Sequence, residues 1–249
     1  MKNTRLIIVK SKLMYLFTNA YYIVKVRLLS CAIIYAKTVN KSGLLLDLGS
    51  GASPYNDLYH SDVDIVTLEY NAERKPNVVA DAHFLPFKEE SFDYITSFEV
   101  LEHVKDPSKV VSEINRILKN SGTCAISVPM TWGLHYEPHD YRRFTIHGLK
   151  KLLNENGFEI QLTRKIGGLY SFFFARNLDI FYTFVRKLPL INIVPYRGHF
   201  LAIIFSPLSL FLSFSCYFLD KLAKDDAIGW FVIFNLSLIH ISEPTRPSQ

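Results

Sequence analysis

From Gly43 to Phe158, short apolar runs alternate with amphipathic stretches, the pattern of strand–helix units that build a parallel sheet. Gly43–Leu48 (GLLLDL) is almost wholly apolar, as a strand covered on both faces must be. Val63–Glu69 (VDIVTLE), Asn77–Ala80 (NVVA), Phe92–Phe98 (FDYITSF) and Gly122–Pro129 (GTCAISVP) predict four more strands. Before the last of these, Val110, Val111, Ile114, Ile117 and Leu118 form one helical face. Asp106 stands at its cap position, Pro107 suits its first turn, and Asn120-Ser121-Gly122 predicts its end. Thr145 caps a further helix with Ile146, Leu149, Leu152 and Leu153 on one face, closing at Gly157. The fold class that follows is α/β, a mostly parallel sheet with helices on both faces.

Beyond residue 165 the chain changes character. Residues 166–219 are rich in Phe, Leu and Ile, and Phe200–Leu219 contains no charged residue. Ile228–Phe234 (IGWFVIF) predicts a last strand. Leu236–Arg246 (LSLIHISEPTR) resembles the translation of a transposase-type sequencing adapter, so residues 236–249 are set aside as an expected artefact tail.

Composition narrows the class. A chain 49% hydrophobic and 20% charged is not disordered. Cys31, Cys124 and Cys216 are odd in number and far apart, which argues against a disulfide framework or a thiolate metal site and suits a reducing cytoplasm. The net charge of +5 is unevenly placed. Residues 1–46 hold eight basic residues and no acid, which leaves the remainder near −3. These basic residues are interleaved with Leu13, Tyr15, Phe17, Tyr21 and Ile23, which favours an anionic membrane surface over nucleic acid. A signal peptide fits less well, because Lys25 and Arg27 end the apolar run with no small-x-small site after it.

The chemistry-bearing residues cluster where strands end. Asp47-Leu48-Gly49-Ser50-Gly51 turns out of the first strand, and its glycines let backbone pass close to a ligand. Pro54 replaces the third glycine of a dinucleotide fingerprint, and no G-K-[ST] is present to make a P-loop. Glu69 ends the second strand 22 residues after Asp47, placed to accept ribose hydroxyls. Asp81 follows the third strand, and Val100-Leu101-Glu102-His103-Val104 follows the fourth.

Together these motifs resemble the class I S-adenosylmethionine-dependent methyltransferases, particularly the type 11-like group with an L-E-H-V-x-D-P segment. The resemblance covers residues 43–165 and resumes at 228. It implies a Rossmann-like seven-stranded sheet with an antiparallel last strand and S-adenosyl-L-methionine as cofactor. It further implies that Asp47, Gly49, Ser50 and Gly51 line the methionine part, that Glu69 and Tyr70 hold the ribose, that Asp81 and Ala82 take the adenine, and that Glu99 lies near the methionine end. A sulfonium carries one positive charge, so acids around it make electrostatic sense.

Met130–Thr145 is similar to the H-x-P-x-D-Y-x-R-F-T segment of the same family, here H-Y-E-P-H-D-Y-R-R-F-T. Loops at this edge of such a sheet carry substrate contacts, so His135, Asp140, Tyr141 and Arg143 are candidate acceptor ligands. Methyl transfer to oxygen needs a base, and His139, His103 and His135 are the candidates, His139 foremost. No His/Asp/Glu spacing reads as a metal site, and none is expected.

The resulting layout is a basic amphipathic helical segment over 1–42, a cofactor-binding core over 43–165, an apolar helical insertion over 166–227 and a final strand over 228–235. Leu169–Val185 contains Arg176, Asn177 and Asp179, so a pair of membrane spans is disfavoured. An in-plane or re-entrant hairpin, with Lys165, Arg186, Lys187 and Arg197 at the headgroups, is preferred. The alternative is a lid buried over the active site. The expected protein is a cytoplasmic methyltransferase, peripheral on the inner face of the plasma membrane. Its partner is a small-molecule or lipid-linked acceptor (glycan, quinone or surface-polysaccharide precursor), with no nucleic acid. The rival readings are a soluble small-molecule methyltransferase and a non-catalytic cofactor-binding subunit of a membrane complex.

Overall fold

The computed structural model describes residues 22–39, 42–187, 215–216, 218–221 and 227–237. Most of the apolar run Phe200–Leu219 and nearly all of the tail set aside above lie outside them. The chain divides into two compact units, Met1–Leu29 with Ile166–Ile228 and Ser30–Lys165 with Gly229–Gln249.

Seven strands form one sheet. They are β1 (Gly43–Leu48), β2 (Val63–Glu69), β3 (Val78–Val79), β4 (Phe92–Phe98), β5 (Leu118–Pro129), β6 (Phe158–Ile166) and β7 (Gly229–Leu236). Their order is β3-β2-β1-β4-β5-β7-β6. β1 pairs in parallel with both β2 and β4, and β4 with β5, whereas β7 runs antiparallel to β5. This is the α/β arrangement the sequence predicts, a mostly parallel sheet whose apolar strands are buried. Leu45, Leu46, Leu48, Ile95, Ile126 and Phe231 are among the side chains fully enclosed.

The α-helices among the described residues are α1 (Tyr22–Thr38), α2 (Pro107–Ile117), α3 (Ile146–Glu155) and α4 (Leu169–Lys187). Tyr35 of α1 is wholly buried and donates its O–H to the Thr123 carbonyl at 2.6 Å. Asp106 and Thr145 cap α2 and α3 as expected, accepting from the N–H groups of Lys109 and Gly148. In the other unit, Asp220 caps α4 from a distance in sequence. Its carboxylate accepts from the N–H groups of Tyr170 and Ser171 at 3.0 and 3.1 Å. Among the described residues, no helix is long and apolar enough to cross a membrane.

The end of α2 differs from the sequence reading. Asn120-Ser121-Gly122 does not end a helix but lies inside β5, where the β4–β5 register jumps from Phe92↔Leu118 to Tyr94↔Thr123. A Cβ on Gly122 would stand 2.9 Å from the Asp93 carbonyl oxygen. The glycine serves close approach at an irregularity in the sheet, not a turn.

Candidate functional site

The parallel strands end along one rim, and the register places the acidic residues there side by side. Asp47 pairs with Thr67 of β2 and Thr96 of β4, and Glu69 pairs with Val79 of β3. Asp81 follows two residues after Val79, and Glu99 directly follows β4. Loops at the carboxyl ends of parallel strands are where such sheets bind ligands.

The turn after β1 depends on two glycines with left-handed backbone, Gly49 at φ +70° and Gly51 at φ +53°. Gly49 and Ser50 donate their N–H groups to the Leu68 carbonyl at 2.8 and 3.0 Å, so the turn folds over the end of β2. A Cβ on Gly49 would come within 2.4 Å of Val100 Cγ2, whereas one on Gly51 would meet no atom within 4 Å. Gly49 is therefore needed for packing. Gly51 borders open space, where a ligand can approach the backbone.

Glu69 holds this turn from below, accepting the N–H of Gly51 through Oε2 and that of Tyr70 through Oε1, each at 2.9 Å. Tyr70 itself is exposed. Asp47 receives the Thr96 hydroxyl at 3.3 Å. Burial, aided by the charge of Glu69, pushes its carboxyl up to about 6 against the hydrogen bond from Thr96. Glu99 has φ +56° and accepts the Ser127 hydroxyl at 2.8 Å. Burial pushes it up to about 7, opposed by that hydrogen bond and the charge of Arg143. A cationic ligand would favour the ionised forms of these carboxyls.

The sequence did not single out His83, which fixes Asp81. The Asp106 N–H donates to His83 Nε2 at 3.1 Å, so the ring proton sits on Nδ1 and is given to Asp81 Oδ1 at 2.5 Å. The His83 N–H reaches the same oxygen at 2.9 Å. Partial burial alone would raise Asp81, but these bonds hold it below the ordinary carboxylate range. The second oxygen, Oδ2, remains available to an amino group. Ala82 follows it, half-buried.

The loop after β5 is pinned by Asp140 and Arg143. The guanidinium grips Asp140 Oδ1 and Oδ2 at 2.6 and 2.8 Å and also donates to the carbonyls of Trp132 and Gly133. Tyr141 donates its N–H to the Glu102 carbonyl at 2.8 Å, which fastens the loop to the turn after β4. The three candidate bases separate. His103 and His135 lie ring edge to ring face, 4.8 Å between centroids, while His139 is exposed and hydrogen-bonded through Nδ1 to the Tyr141 hydroxyl at 2.9 Å. Burial draws His103 below its ordinary value, and the neighbouring His135 adds to this. Glu102 between them is fully enclosed, and burial with repulsion from Glu99 raises it well above its ordinary value.

Residues 46–126 match a family profile described as a methyltransferase domain. A curated protein of Methanocaldococcus jannaschii is 34% identical over 102 residues, which are 38% of this chain and 40% of that protein. A Mycolicibacterium smegmatis protein named "probable S-adenosylmethionine-dependent methyltransferase" is 30% identical over 41% of this chain and 43% of its own length. The chain thus spans about two fifths of the length of these relatives. Among solved structures, the Burkholderia thailandensis 1,6-didemethyltoxoflavin-N1-methyltransferase, with S-adenosylhomocysteine bound, superposes with a TM-score of 0.51 at 14% identity. It covers 84% of this chain and 77% of that one. The resemblance read from the sequence is borne out. Residues 46–126 match the methyltransferase-domain profile, and the chain shares the fold of the Burkholderia methyltransferase.

Proposed function

We propose that this protein is an S-adenosyl-L-methionine-dependent methyltransferase that methylates an oxygen of a lipid-linked or amphiphilic acceptor. The observation that carries the first half is the acidic rim around Gly49 and Gly51. Asp47, Gly49, Ser50 and Gly51 take the methionine part, Glu69 and Tyr70 the ribose, Asp81 and Ala82 the adenine, and Glu99 the methionine end. A sulfonium beside carboxyls raised by burial gains an attraction that a neutral ligand lacks. In the transfer, the acceptor oxygen bonds the methyl carbon as the carbon–sulfur bond breaks. The thioether leaves neutral, and the acceptor proton passes to a histidine of the 130–145 loop. Positioning supplies most of the acceleration in such an in-line displacement.

The acceptor class is supported by the insertion and the basic start of the chain. Within the unit that includes Ile166–Ile228, Phe173, Ile180 and Phe218 are exposed at 56%, 64% and 52%. Exposed apolar side chains suit contact with acyl chains or a lipid tail. This reading places the protein at the cytoplasmic face of a membrane, held peripherally. Incubation with methyl-labelled S-adenosylmethionine and host lipid extract tests it. Label entering the organic phase supports it. Label entering only water-soluble products, with no binding to anionic liposomes, refutes the lipid acceptor.

A further inference from the structure

We propose that Glu102, His103 and His135 form a binding site for one divalent transition-metal cation. The side chain of Glu102 is 0% exposed, and neither carboxylate oxygen has a hydrogen-bond partner among the described residues. A buried carboxylate without donors is costly, and native proteins almost always supply a partner. What faces Glu102 instead is two imidazole nitrogens. His103 Nε2 lies 3.6 Å and His135 Nε2 4.0 Å from Oε1, and one ligand atom from each of the three residues fits within 4.8 Å of the others. Both separations are too long for hydrogen bonds.

The tautomers decide what these nitrogens offer. His103 Nδ1 lies 2.6 Å from the His139 carbonyl oxygen, which only accepts, so the ring proton is on Nδ1. His135 Nδ1 faces the Gly133 carbonyl at 3.2 Å and Asp140 Oδ2 at 3.4 Å, again acceptors alone. In each neutral ring the Nε2 lone pair is left pointing toward the carboxylate. Two imidazole lone pairs thus converge on one buried carboxyl group. Imidazoles bound to metals are oriented in this way, the far N–H given to a carbonyl or carboxylate. Of the two arginines of this loop, Arg142 donates to the carbonyls of Val104 and Lys105, and Arg143 to Asp140 and the carbonyls of Trp132, Gly133 and Arg142.

Metal–ligand distances of about 2.0–2.2 Å put tetrahedral ligands about 3.3 Å apart, so a spacing of 3.6 to 4.8 Å would close by at most about 1.5 Å. Two imidazoles and one carboxylate favour zinc, cobalt, iron or manganese over magnesium or calcium, and three protein ligands leave a position open. Chain spacing gave no sign of this site, because a loop supplies His135 far in sequence from Glu102 and His103. On the methyltransferase reading, the open position would take the acceptor oxygen and leave His139 as the base. The binding site itself does not depend on that reading.

The test uses the full chain, stripped with a chelator and titrated with Co²⁺ while its visible absorption is recorded. One equivalent should bind, with bands typical of low-coordinate cobalt. Glu102→Gln and His135→Ala should each weaken binding by about tenfold or more, while His147→Ala, on α3, should leave it unchanged. Melting curves identify any variant that fails to fold, and His135→Ala, on a loop, supplies the readout if Glu102→Gln does not fold. Failure to bind cobalt at millimolar concentration overturns the site, as does binding of equal affinity in wild type and both variants. Titration of S-adenosylhomocysteine in the same preparation reports separately on the cofactor reading.

Discussion

Glu69 accepts the N–H of Gly51 through Oε2 at 2.9 Å, tying the end of β2 to the turn that follows β1. The carboxylate therefore arrives at the rim already oriented, with lone pairs left for two ribose hydroxyls. Loss of one charge-assisted hydrogen bond costs about 2 kcal/mol, or roughly thirtyfold in affinity. Glu69→Ala should weaken S-adenosylhomocysteine binding by at least that factor, and Glu69→Gln by less, as isothermal titration would measure.

Asp47 gives the site a pH signature. Its carboxyl is raised to about 6, so the folded protein holds a proton that the unfolded chain releases near pH 4. The stability from this group is complete below pH 4 and is lost as pH rises through about 6. Asp47→Asn should accordingly stabilise the ligand-free protein at pH 7, by on the order of 3 kcal/mol. A cationic ligand instead needs the ionised form. Affinity for S-adenosylmethionine should begin to fall as pH drops through about 7, where Glu99 takes up its proton, and more steeply below about 6, where Asp47 does. In Asp47→Asn it should be weak and keep only the fall near pH 7 that Glu99 causes.

The two glycines of the turn separate packing from binding. Gly49→Ala would force a methyl group to within 2.4 Å of Val100 at a left-handed φ and should lower stability by about 2 kcal/mol or more. Gly51→Ala meets no atom but keeps the unfavourable φ, so it should cost about 1 kcal/mol while obstructing the ligand. Thermal melts compared with ligand titration distinguish the two outcomes.

Asp140 is held well below the carboxylate range, chiefly by its hydrogen bonds from Arg143. A depressed carboxyl stabilises the fold above its unfolded value near pH 4 and is lost only as pH falls through the lower folded value. The loop clamp therefore stays closed at every physiological pH. Asp140→Asn should loosen it, at a cost of about 2 kcal/mol, and should sharply reduce methyl transfer while changing cofactor affinity little. An equal loss of both would contradict a role confined to the acceptor loop.

Most of the sheet could be read in the sequence because its strands are buried on both faces. The apolar runs of β1, β2 and β4 fall on the predicted residues, and the caps Asp106 and Thr145 lie where hydrogen-bonding chemistry puts them. Gly122 misled because a glycine in a turn and a glycine at a close strand contact look alike in one dimension. His83 was overlooked for a related reason. It acts through Asp106, 23 residues away, and that partner is brought to it only by the fold. The Glu102, His103 and His135 cluster likewise depends on the path of a loop, which no local periodicity encodes.

The central claim is that the rim around Gly51 holds S-adenosylmethionine. Isothermal titration of S-adenosylhomocysteine into the wild-type chain, Asp47→Ala and Glu69→Ala tests it most directly. The account predicts one saturable equivalent in the wild type and no measurable binding in either variant. Undiminished affinity in both variants, or no binding to the folded wild-type protein, would contradict it.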